Sequence, residues 1–344
     1  PESLPNRCRG LRSKEKADVP EVRAHFKTGK EPIVFGLNAY TGIDIGAWSL
    51  KAVSITGSKG RYALKAAAYH KLPREARAGQ AAPAFLSDYL KTNSIKASKS
   101  AVLMTGHSLM FRHFYLPPMP DKDLKEAVKW EIRKEVAIPP ADLISDFVTT
   151  DGAPRPDGKL SITAFAGVKK EIVSIMSFFT EAGVGVSVIE VIPTSLLASF
   201  CLNNAAGTVE NHAMLDIGET KSTLAIIRNN SLAFAREITI GGQDFTRAAA
   251  MLVKDGEDAA EEFKHGASAQ DAREALSKPL ERLSAEVHRS FDYFQAQFRE
   301  GGVSRLYLAG GSARLKGLDS HLGDSTGIPV FIDDPMRKLK TSGE

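Results

Sequence analysis

The spacing of apolar and polar residues along the chain predicts a series of strands and helices. Residues 40–56 contain an apolar run, a glycine turn and a second apolar run, and residues 61–69 continue after a Gly-Ser-Lys-Gly turn, so three strands joined by hairpins are expected. Residues 213–240 repeat the apolar run, the Asp-Ile-Gly turn and the second apolar run. Helical spacing of apolar residues predicts helices near 83–92, 121–137, 170–182, 193–202 and 279–298, with others beginning near 242 and 259.

Residues 98–187 have the pattern of a separate small unit. Their predicted order is strand, strand, helix, strand, strand, helix, strand, and residues 101–105 and 111–116 are expected to form a strand pair. Asp121 follows three prolines and is expected to cap the next helix with its carboxylate. The pattern favours a compact α+β module inserted between two parts of a larger domain.

Composition and charge narrow the class of protein. A chain of 344 residues with 43% hydrophobic and 25% charged residues is typical of a globular protein with two domains or two lobes. Residues 1–30 hold eight basic and four acidic residues, which accounts for the whole net charge of +4. The rest is neutral, which argues against a nucleic-acid-binding protein, and residues 1–32 are expected to form a flexible basic arm.

Cysteine content and hydropathy indicate the compartment. Cys8 and Cys201 are too few for a disulfide framework and have no metal-ligand spacing, which favours a reducing, intracellular location. No run approaches the roughly 18 apolar residues of a spanning helix, and the chain does not begin like a signal peptide. We therefore expect any membrane contact to be made through another protein.

Two Asp-Ile-Gly turns carry the candidate chemistry. The first, in "DIGAWSLK", supplies Asp44, Gly46 and Lys51, and the second, in "DIGETKSTL", supplies Asp216 and Gly218 with the hydroxyls of Thr220, Ser222 and Thr223. A carboxylate at a strand tip can hold Mg²⁺, which neutralises phosphates, and glycine lets backbone amides approach an anion. One such turn is most often a plain turn, but its recurrence in matching surroundings favours a phosphate site.

A third glycine site follows the apolar run at residues 303–308. Gly310 and Gly311 would let an adenine or ribose lie against bare backbone. A glycine-rich turn between a strand and a helix is an equally good interpretation of this site alone. The order of the three sites along the chain is more informative than any one of them.

That order resembles the actin-like ATPase fold shared with sugar kinases and heat-shock chaperones. The resemblance implies an α/β, actin-like (ASKHA) two-lobed fold with duplicated ribonuclease-H-like subdomains and an inserted α+β subdomain. The first lobe would comprise residues 33–97 and 188–210, the inserted subdomain residues 98–187, and the second lobe residues 211–344.

A narrower resemblance, to the PilM family of type IV pilus assembly proteins and to FtsA, covers nearly the whole chain from Thr41. It rests on stretches in the expected order, among them "FRHFYLPPMPDKDLKEAVKWEIRKEVAIPP", "MLDIGETKSTLAIIRN", "AEEFKHG" and "LYLAGGSARLKGL". FtsA proteins usually end in an amphipathic membrane-binding helix, whereas "DDPMRKLKTSGE" has no apolar face, so PilM is favoured.

The resemblance implies which residues bind ATP (or ADP) and Mg²⁺. Asp44 and Asp216 would hold the metal or its waters, with Lys51 near the β-phosphate, and Asp216 and Glu219 would be catalytic, with Glu190 as another candidate. Glu261 and Lys264 would contact the ribose or adenine, although a surface helical ion pair remains an alternative. The expected cofactor contacts are Asp44, Gly46, Ala47, Trp48, Lys51, Gly218, Thr220, Lys221, Gly242, Glu261, Lys264, Gly310, Gly311 and Ser312.

Trp48 departs from the family pattern, because relatives carry a small hydroxyl residue near this position. Its indole could narrow the phosphate pocket or point into the core of the lobe. We therefore expect ATP binding with slow or no hydrolysis, with the nucleotide setting the lobe angle and partner affinity.

The resemblance also implies a partner. PilM would dock on the N-terminal cytoplasmic peptide of a PilN-like inner-membrane protein, which places the chain in the cytoplasm at the inner face of the bacterial inner membrane. The groove would lie between the first lobe and the inserted module, near Phe111, Phe114, Tyr115, Leu116 or the helix at 121–137, unless these residues are core. Self-association is a further expectation. The alternatives are an FtsA-like filament former, a small-molecule kinase and a pseudo-ATPase that binds no nucleotide.

Overall fold

A computed structural model describes residues 40–58, 61–73, 82–104, 109–136, 138–150, 157–204, 210–253, 255–266, 269–298 and 301–341. The predicted N-terminal arm, residues 1–32, and Cys8 lie outside these residues. Within them, no helix is long and apolar enough to cross a membrane.

The strands and helices of the described residues follow the sequence prediction closely in position. The strands are β1 (Tyr40–Ile45), β2 (Ser49–Ser58), β3 (Arg61–Lys71), β4 (Ser100–Leu103), β5 (Met110–Leu116), β6 (Leu143–Thr149), β7 (Leu160–Val168), β8 (Val186–Glu190), β9 (Asn211–Ile217), β10 (Ser222–Arg228), β11 (Ser231–Ile238), β12 (Val303–Ala309), β13 (Val330–Ile332) and β14 (Lys340–Thr341). The helices are α1 (Pro83–Thr92), α2 (Asp121–Glu135), α3 (Lys169–Glu181), α4 (Ile192–Asn203), α5 (Gly242–Ala250), α6 (Glu257–Gly266), α7 (Ala269–Phe298) and α8 (Leu318–Thr326).

The first lobe is built on a six-stranded sheet in the order β14-β3-β2-β1-β4-β8. The predicted hairpins form β1, β2 and β3 as an antiparallel meander, and β4 and β8 continue the sheet in parallel. Helices α1 and α3 cover the sheet, and Leu86, Leu90 and Phe179 share its core with Ile43 and Leu50. This apolar layer fixes the first hairpin at the edge of the lobe.

The inserted module is smaller than the predicted 98–187. Its antiparallel sheet has the order β5-β7-β6, and α2 packs on it through Leu124, Val128 and Ile132. The expected pairing of β4 with β5 does not occur, because β4 is paired on both sides by β1 and β8 of the first lobe. The module therefore spans about β5 to β7.

The cap predicted for α2 is also different in the structure. Pro120 occupies the N-cap position, and Asp121 is the first helical residue with no side-chain capping bond. A carboxylate in the first turn still favours the positive end of the helix. The start of α2 was thus predicted correctly and its capping was not.

The second lobe is built on a five-stranded sheet in the order β11-β10-β9-β12-β13. Helix α7 begins ten residues before the predicted start and continues through Pro279. The helix residues on the two sides of this proline are buried in the same core, through Leu276, Leu280 and Leu283. The longer helix thus packs on one core along both sides of Pro279.

Two segments cross the expected lobe boundaries. Helix α4, expected in the first lobe, packs Leu197 and Phe200 against Met214 and Ile227 of the second sheet. Strand β14, expected in the second lobe, pairs in parallel with β3 of the first. The lobes are therefore joined by a central helix and by the returning end of the chain.

Candidate functional site

The first Asp-Ile-Gly hairpin brings a carboxylate and an ammonium group together. Asp44 ends β1 directly opposite Lys51 in β2, and the Lys51 Nζ lies 2.7 Å from the Asp44 Oδ2. The bend is closed by the Gly46 amide, which donates to the Ser49 carbonyl at 3.0 Å. The antiparallel register thus places Asp44 beside Lys51. The Lys51 side chain is also 45% exposed to solvent.

The second hairpin repeats this geometry with a different cross-strand partner. Asp216 lies in β9 opposite Thr223 in β10, and the Gly218 amide donates to the Lys221 carbonyl at 3.1 Å. The Lys221 ammonium forms an ion pair with Glu237 of β11. Lys221 therefore shapes the turn through its backbone, and the structure shows its charge paired within the second lobe.

Three glycines are required where other segments meet this hairpin. A Cβ on Gly241 would lie 2.6 Å from the Glu219 carbonyl oxygen, and one on Gly242 would lie 2.7 Å from the Ser312 Oγ and 2.9 Å from the Glu219 Oε2. Gly310 has φ +89°, and its Cβ would lie 2.7 Å from the Asp216 Oδ1. Glycine at these positions lets two other chain segments, the start of α5 and the turn after β12, converge on Asp216 and Glu219.

The amide groups at the start of α5 already have partners. The Gly242 amide donates to the Gly218 carbonyl at 2.7 Å, and the Gln243 amide donates to the Glu219 carbonyl at 2.8 Å. These bonds hold the helix against the second hairpin. Gly311, in contrast, has open space where its Cβ would stand.

The two hairpins influence each other electrostatically. Burial raises the pKa of the Asp216 carboxyl to about 6, with Asp44 adding to the rise and Lys51 opposing it. Burial lowers the pKa of the Lys51 ammonium, but Asp44 and Asp216 outweigh it and the net pKa is raised. The structure thus brings Asp44, Lys51 and Asp216, from two lobes, within range of one another.

Thr223, whose hydroxyl was named with the second turn but not among the expected cofactor contacts, lies in the site. Its side chain is 1% exposed, and its hydroxyl has no hydrogen-bond partner among the described residues. Directly opposed side chains of an antiparallel pair lie on the same face, so Thr223 stands beside Asp216. This position beside Asp216 agrees with the expectation that its hydroxyl belongs to the second turn.

Trp48 contacts a lysine of strand β3. Its half-buried indole lies at the bend beside β3, where the Lys71 Nζ stands 4.7 Å from the ring centre. Lys71 also lies 3.2 Å from the Asp258 Oδ1 of α6, in the second lobe. The indole of Trp48 therefore contacts a basic side chain that also forms an ion pair with the second lobe.

Glu261 and Lys264 form a buried cluster, so the surface ion pair is the wrong alternative. The Lys264 Nζ lies 2.6 Å from the Glu261 Oε2 and 3.0 Å from the Thr246 Oγ1, and Lys264 is 2% exposed. The Thr246 hydroxyl also donates to the Glu261 Oε2. The pair ties α6 to the first turn of α5, next to Gly242.

The residues present fit a magnesium nucleotide. Two carboxylates and one lysine face one another, an orphaned buried hydroxyl stands beside Asp216, and the space before Gly311 is open. Among the described residues, no three His, Cys, Asp or Glu side chains form a ready-made metal cage. Mg²⁺ commonly keeps several waters and uses one or two carboxylates with substrate phosphates, which agrees with this arrangement.

A second concave site lies between the first lobe and the inserted module. It is a cavity of about 70 Å³ with mainly apolar walls, and Glu190 and Asp146 face into it. Glu190, a candidate for positioning the attacking water, lines this cavity, and the described walls of the cavity include no residue of either hairpin.

The four apolar residues that were predicted to lie near the groove are not among the residues that line this cavity. Phe111 only packs at its margin with Met104 and Ile172, whereas Phe114 and Leu116 belong to the core beneath α2. Tyr115 packs against Phe298 of α7. Each of these residues therefore takes part in the packing of a core, and Phe111, Phe114 and Tyr115 remain partly exposed.

Comparison with known sequences decides the family. A sequence model described as "Type IV pilus assembly protein PilM" matches residues 42–344. The chain belongs to the PilM family. Among solved structures, a PilM-PilN type IV pilus biogenesis complex matches with 25% identity and a TM-score of 0.77, covering 88% of this chain and 90% of that chain.

More distant similarities agree on the fold of this PilM family member. The ethanolamine utilization protein EutJ from Carboxydothermus hydrogenoformans matches with 14% identity and a TM-score of 0.54, over 89% of this chain and 90% of that one. The cell shape-determining protein MreB of Pasteurella multocida is 24% identical over 200 residues, which is 47% of this chain and 57% of MreB. The chain thus aligns with little more than half of that relative, and the likeness supports the predicted actin-like architecture.

Proposed function

We propose that this PilM family member is an ATP-binding cytoplasmic scaffold of type IV pilus assembly that docks on a PilN-like inner-membrane protein. The observation that carries the nucleotide part is the mutual influence of Asp44, Lys51 and Asp216, which come from facing hairpins of two lobes. Such a pair of hairpins can hold one ligand from both sides, which a single turn cannot do.

Each group has a role in the proposed site. Asp44 and Asp216 would hold Mg²⁺ or its waters, Lys51 would face a phosphate, and Thr223 would complete the shell beside Asp216. The bound Mg-ATP would supply a hydrolysable terminal phosphate whose charge the metal neutralises. Gly311 leaves room for the nucleoside beside α5 and α6, where Glu261 and Lys264 lie.

Binding with slow or no hydrolysis is favoured over fast turnover. The amides of Gly242 and Gln243 are already bonded to the second hairpin, so the start of α5 has fewer donors left for a transferring phosphate. The carboxylate of Glu219 lies against Gly242 within the second lobe. Neither feature supports an efficiently positioned attacking water.

Calorimetry with Mg-ATP tests the nucleotide proposal. We expect the wild type to bind and Asp216→Asn to bind at least about tenfold more weakly, because a metal-holding charge is lost. Asp292→Asn, which neutralises an exposed carboxylate on α7, is the matched control and should bind like the wild type. Absence of binding by the wild type would refute the proposal and favour a pseudo-ATPase.

The cavity between the first lobe and the inserted module supports the docking proposal. Its apolar walls and its place between two subdomains suit the side chains of a short extended peptide. Binding there would hold the protein at the inner face of the inner membrane through its partner. The test is fluorescence anisotropy with the N-terminal cytoplasmic peptide of the PilN-like protein encoded by the same organism.

Self-association is the second candidate role, and an exposed edge strand favours it. Strand β13 ends the second sheet and exposes Phe331 and Ile332. Exposed apolar edges promote pairing with another chain. Sedimentation with Mg-ATP and lipid separates the outcomes: a pellet of polymer would favour the FtsA-like alternative, and a dispersed protein would favour the scaffold.

A further inference from the structure

A larger cavity lies on the sheet of the first lobe, beyond the end of α1. Its volume of about 480 Å³ is within the range of small-molecule sites. Helix α1 ends at Thr92, and the next rows of the sheet carry small side chains, where Ser54 is opposite Ala66 and Thr56 is opposite Ala63. The described part of the chain therefore leaves this end of the sheet face uncovered.

A β-bulge directs one lysine towards this cavity. In the pairing of β2 with β3, Ser54 is opposite Ala66 and Ile55 is opposite Leu64, so Lys65 is the extra residue of β3. A bulge turns its extra residue away from the regular alternation of side chains. Lys65 therefore lines the cavity together with its neighbour Ala66, although regular alternation would place the two on opposite faces.

A second lysine comes from the segment after α1, which hydrogen bonds hold against the sheet. Ser94 turns the chain with a left-handed φ of +56°, and the Ile95 amide donates to the Leu90 carbonyl at 2.9 Å. The Lys96 carbonyl accepts the hydroxyl of Thr41, in β1, at 2.7 Å. These bonds fix the backbone of Lys96 at the wall of the cavity.

The polar groups of this wall are not satisfied by the described part of the chain. Ser54 is only 4% exposed, and its hydroxyl forms no hydrogen bond with a described residue. Neither Lys65 nor Lys96 forms an ion pair with a described residue, and the described wall contains no carboxylate. A buried hydroxyl without a partner is costly, and two ammonium groups without a counter-charge attract an anion. The wall thus suits an acceptor that carries negative charge.

We propose that this cavity binds a phosphate group, carried either by a small soluble molecule or by an anionic lipid. The ammonium groups of Lys65 and Lys96 neutralise its charge, and the hydroxyls of Ser54, Thr56 and Ser94 donate to its oxygens. A phosphate monoester offers three acceptor oxygens and a charge of roughly −2, which this donor set matches better than it matches a carboxylate. The apolar side chains of β3 contact the carbon part of the ligand.

Isothermal titration calorimetry with the full chain tests the proposal, with glycerol 3-phosphate as the soluble probe and glycerol as its neutral counterpart. Sedimentation with vesicles of phosphatidylglycerol, compared with phosphatidylcholine, tests the lipid source. The protein variants are Ser54→Ala and the double variant Lys65→Gln/Lys96→Gln. The matched control is Lys99→Gln, which removes an exposed lysine that does not belong to the described wall. Lys51→Gln detects a phosphate bound between the two hairpins instead.

We expect the wild type to bind a phosphate probe and the double variant to bind it at least about tenfold more weakly, because two charge-assisted contacts are lost. Lys99→Gln should bind like the wild type. Ser54→Ala should also weaken binding without lowering the unfolding temperature, since the deleted hydroxyl has no partner among the described residues. Binding of glycerol 3-phosphate would identify a soluble ligand, and binding to phosphatidylglycerol vesicles alone would identify a lipid.

Three results would overturn the proposal. The first is a wild type that binds neither glycerol 3-phosphate nor phosphatidylglycerol vesicles. The second is equal weakening by Lys99→Gln and by the double variant, which would indicate attraction to net charge without a site. The third is a double variant that binds like the wild type, and a loss in Lys51→Gln would then place the phosphate between the hairpins.

Discussion

Lys264 is a buried lysine that forms an ion pair with one carboxylate, and the ionisation of that carboxylate has a measurable consequence. Glu261 accepts hydrogen bonds from His265, Lys264 and Thr246. Burial alone would raise the pKa of Glu261, but these bonds overcome it and lower the pKa to about 2. The cluster therefore links the stability of the second lobe to the ionisation of one side chain.

The prediction concerns the pH dependence of that stability. Because the folded pKa is lowered from 4.5, the contribution of Glu261 is complete above about pH 5 and is lost as the pH falls towards 2. Chemical denaturation at pH 7 should show Glu261→Gln less stable than the wild type by on the order of 3 kcal/mol. By about pH 3 the gap should shrink to less than half.

The matched control for this prediction is Glu262→Gln, which removes the neighbouring exposed carboxylate of α6. It should track the wild type within about 0.5 kcal/mol at every pH, as is usual for a surface change. A gap for Glu261→Gln that stays constant from pH 7 to pH 3 would show that the carboxylate charge is not what stabilises the cluster.

At the scale of elements, the local residue pattern predicted which strands and helices form and where they lie. It predicted less well which strands pair with each other. The bounds of α1 and the start of α2 follow directly from proline and apolar spacing at residues 83–92 and 121–137. The same pattern does not say whether β4 pairs with β5 or with β1. That choice is made by long-range packing, which gathered β4 and β8 into the first lobe.

The residues of the candidate site also divide into those that short motifs predict and those that only long-range packing brings together. The two hairpins, Asp44, Lys51 and Asp216 could be predicted because they lie within short motifs whose turns fix their geometry. Thr246 and Lys71 could not, since they contribute only after α5 meets α6 and β3 meets α6. Contacts between elements distant in sequence leave no periodic signal in either one.

Trp48 gives a testable contact between elements. Its indole lies against the Lys71 ammonium, and such a contact at a partly exposed site stabilises by about 0.5–1 kcal/mol. A double-mutant cycle of Trp48→Ala with Lys71→Met, followed by urea denaturation, should give a coupling of this size. The cycle with Lys65→Met, an exposed lysine of the same strand, should give none. Equal couplings in the two cycles would argue against a specific contact.

At the scale of the whole molecule, the end of the chain ties the lobes together. After β13 in the second sheet, residues 333–339 run across the end of α4, and β14 then joins the first sheet. Asn203, 2% exposed, holds this crossing: its Nδ2 donates to the Pro335 carbonyl at 3.2 Å, and its Oδ1 accepts the Lys338 amide at 3.2 Å. One buried amide thus fixes the segment that connects both lobes to the central helix.

Asn203→Ala should release this segment, because Pro335 and Lys338 would lose their buried partner. We expect a loss of about 1–3 kcal/mol in unfolding free energy and faster trypsin cleavage at Arg337, Lys338 and Lys340, followed by mass spectrometry. Asn93→Ala is the matched control, since its amide also bonds the end of a helix, at the Tyr89 carbonyl of α1 in the first lobe. If both variants are cleaved at residues 337–340 as slowly as the wild type, Asn203 does not hold the lobes together through this segment.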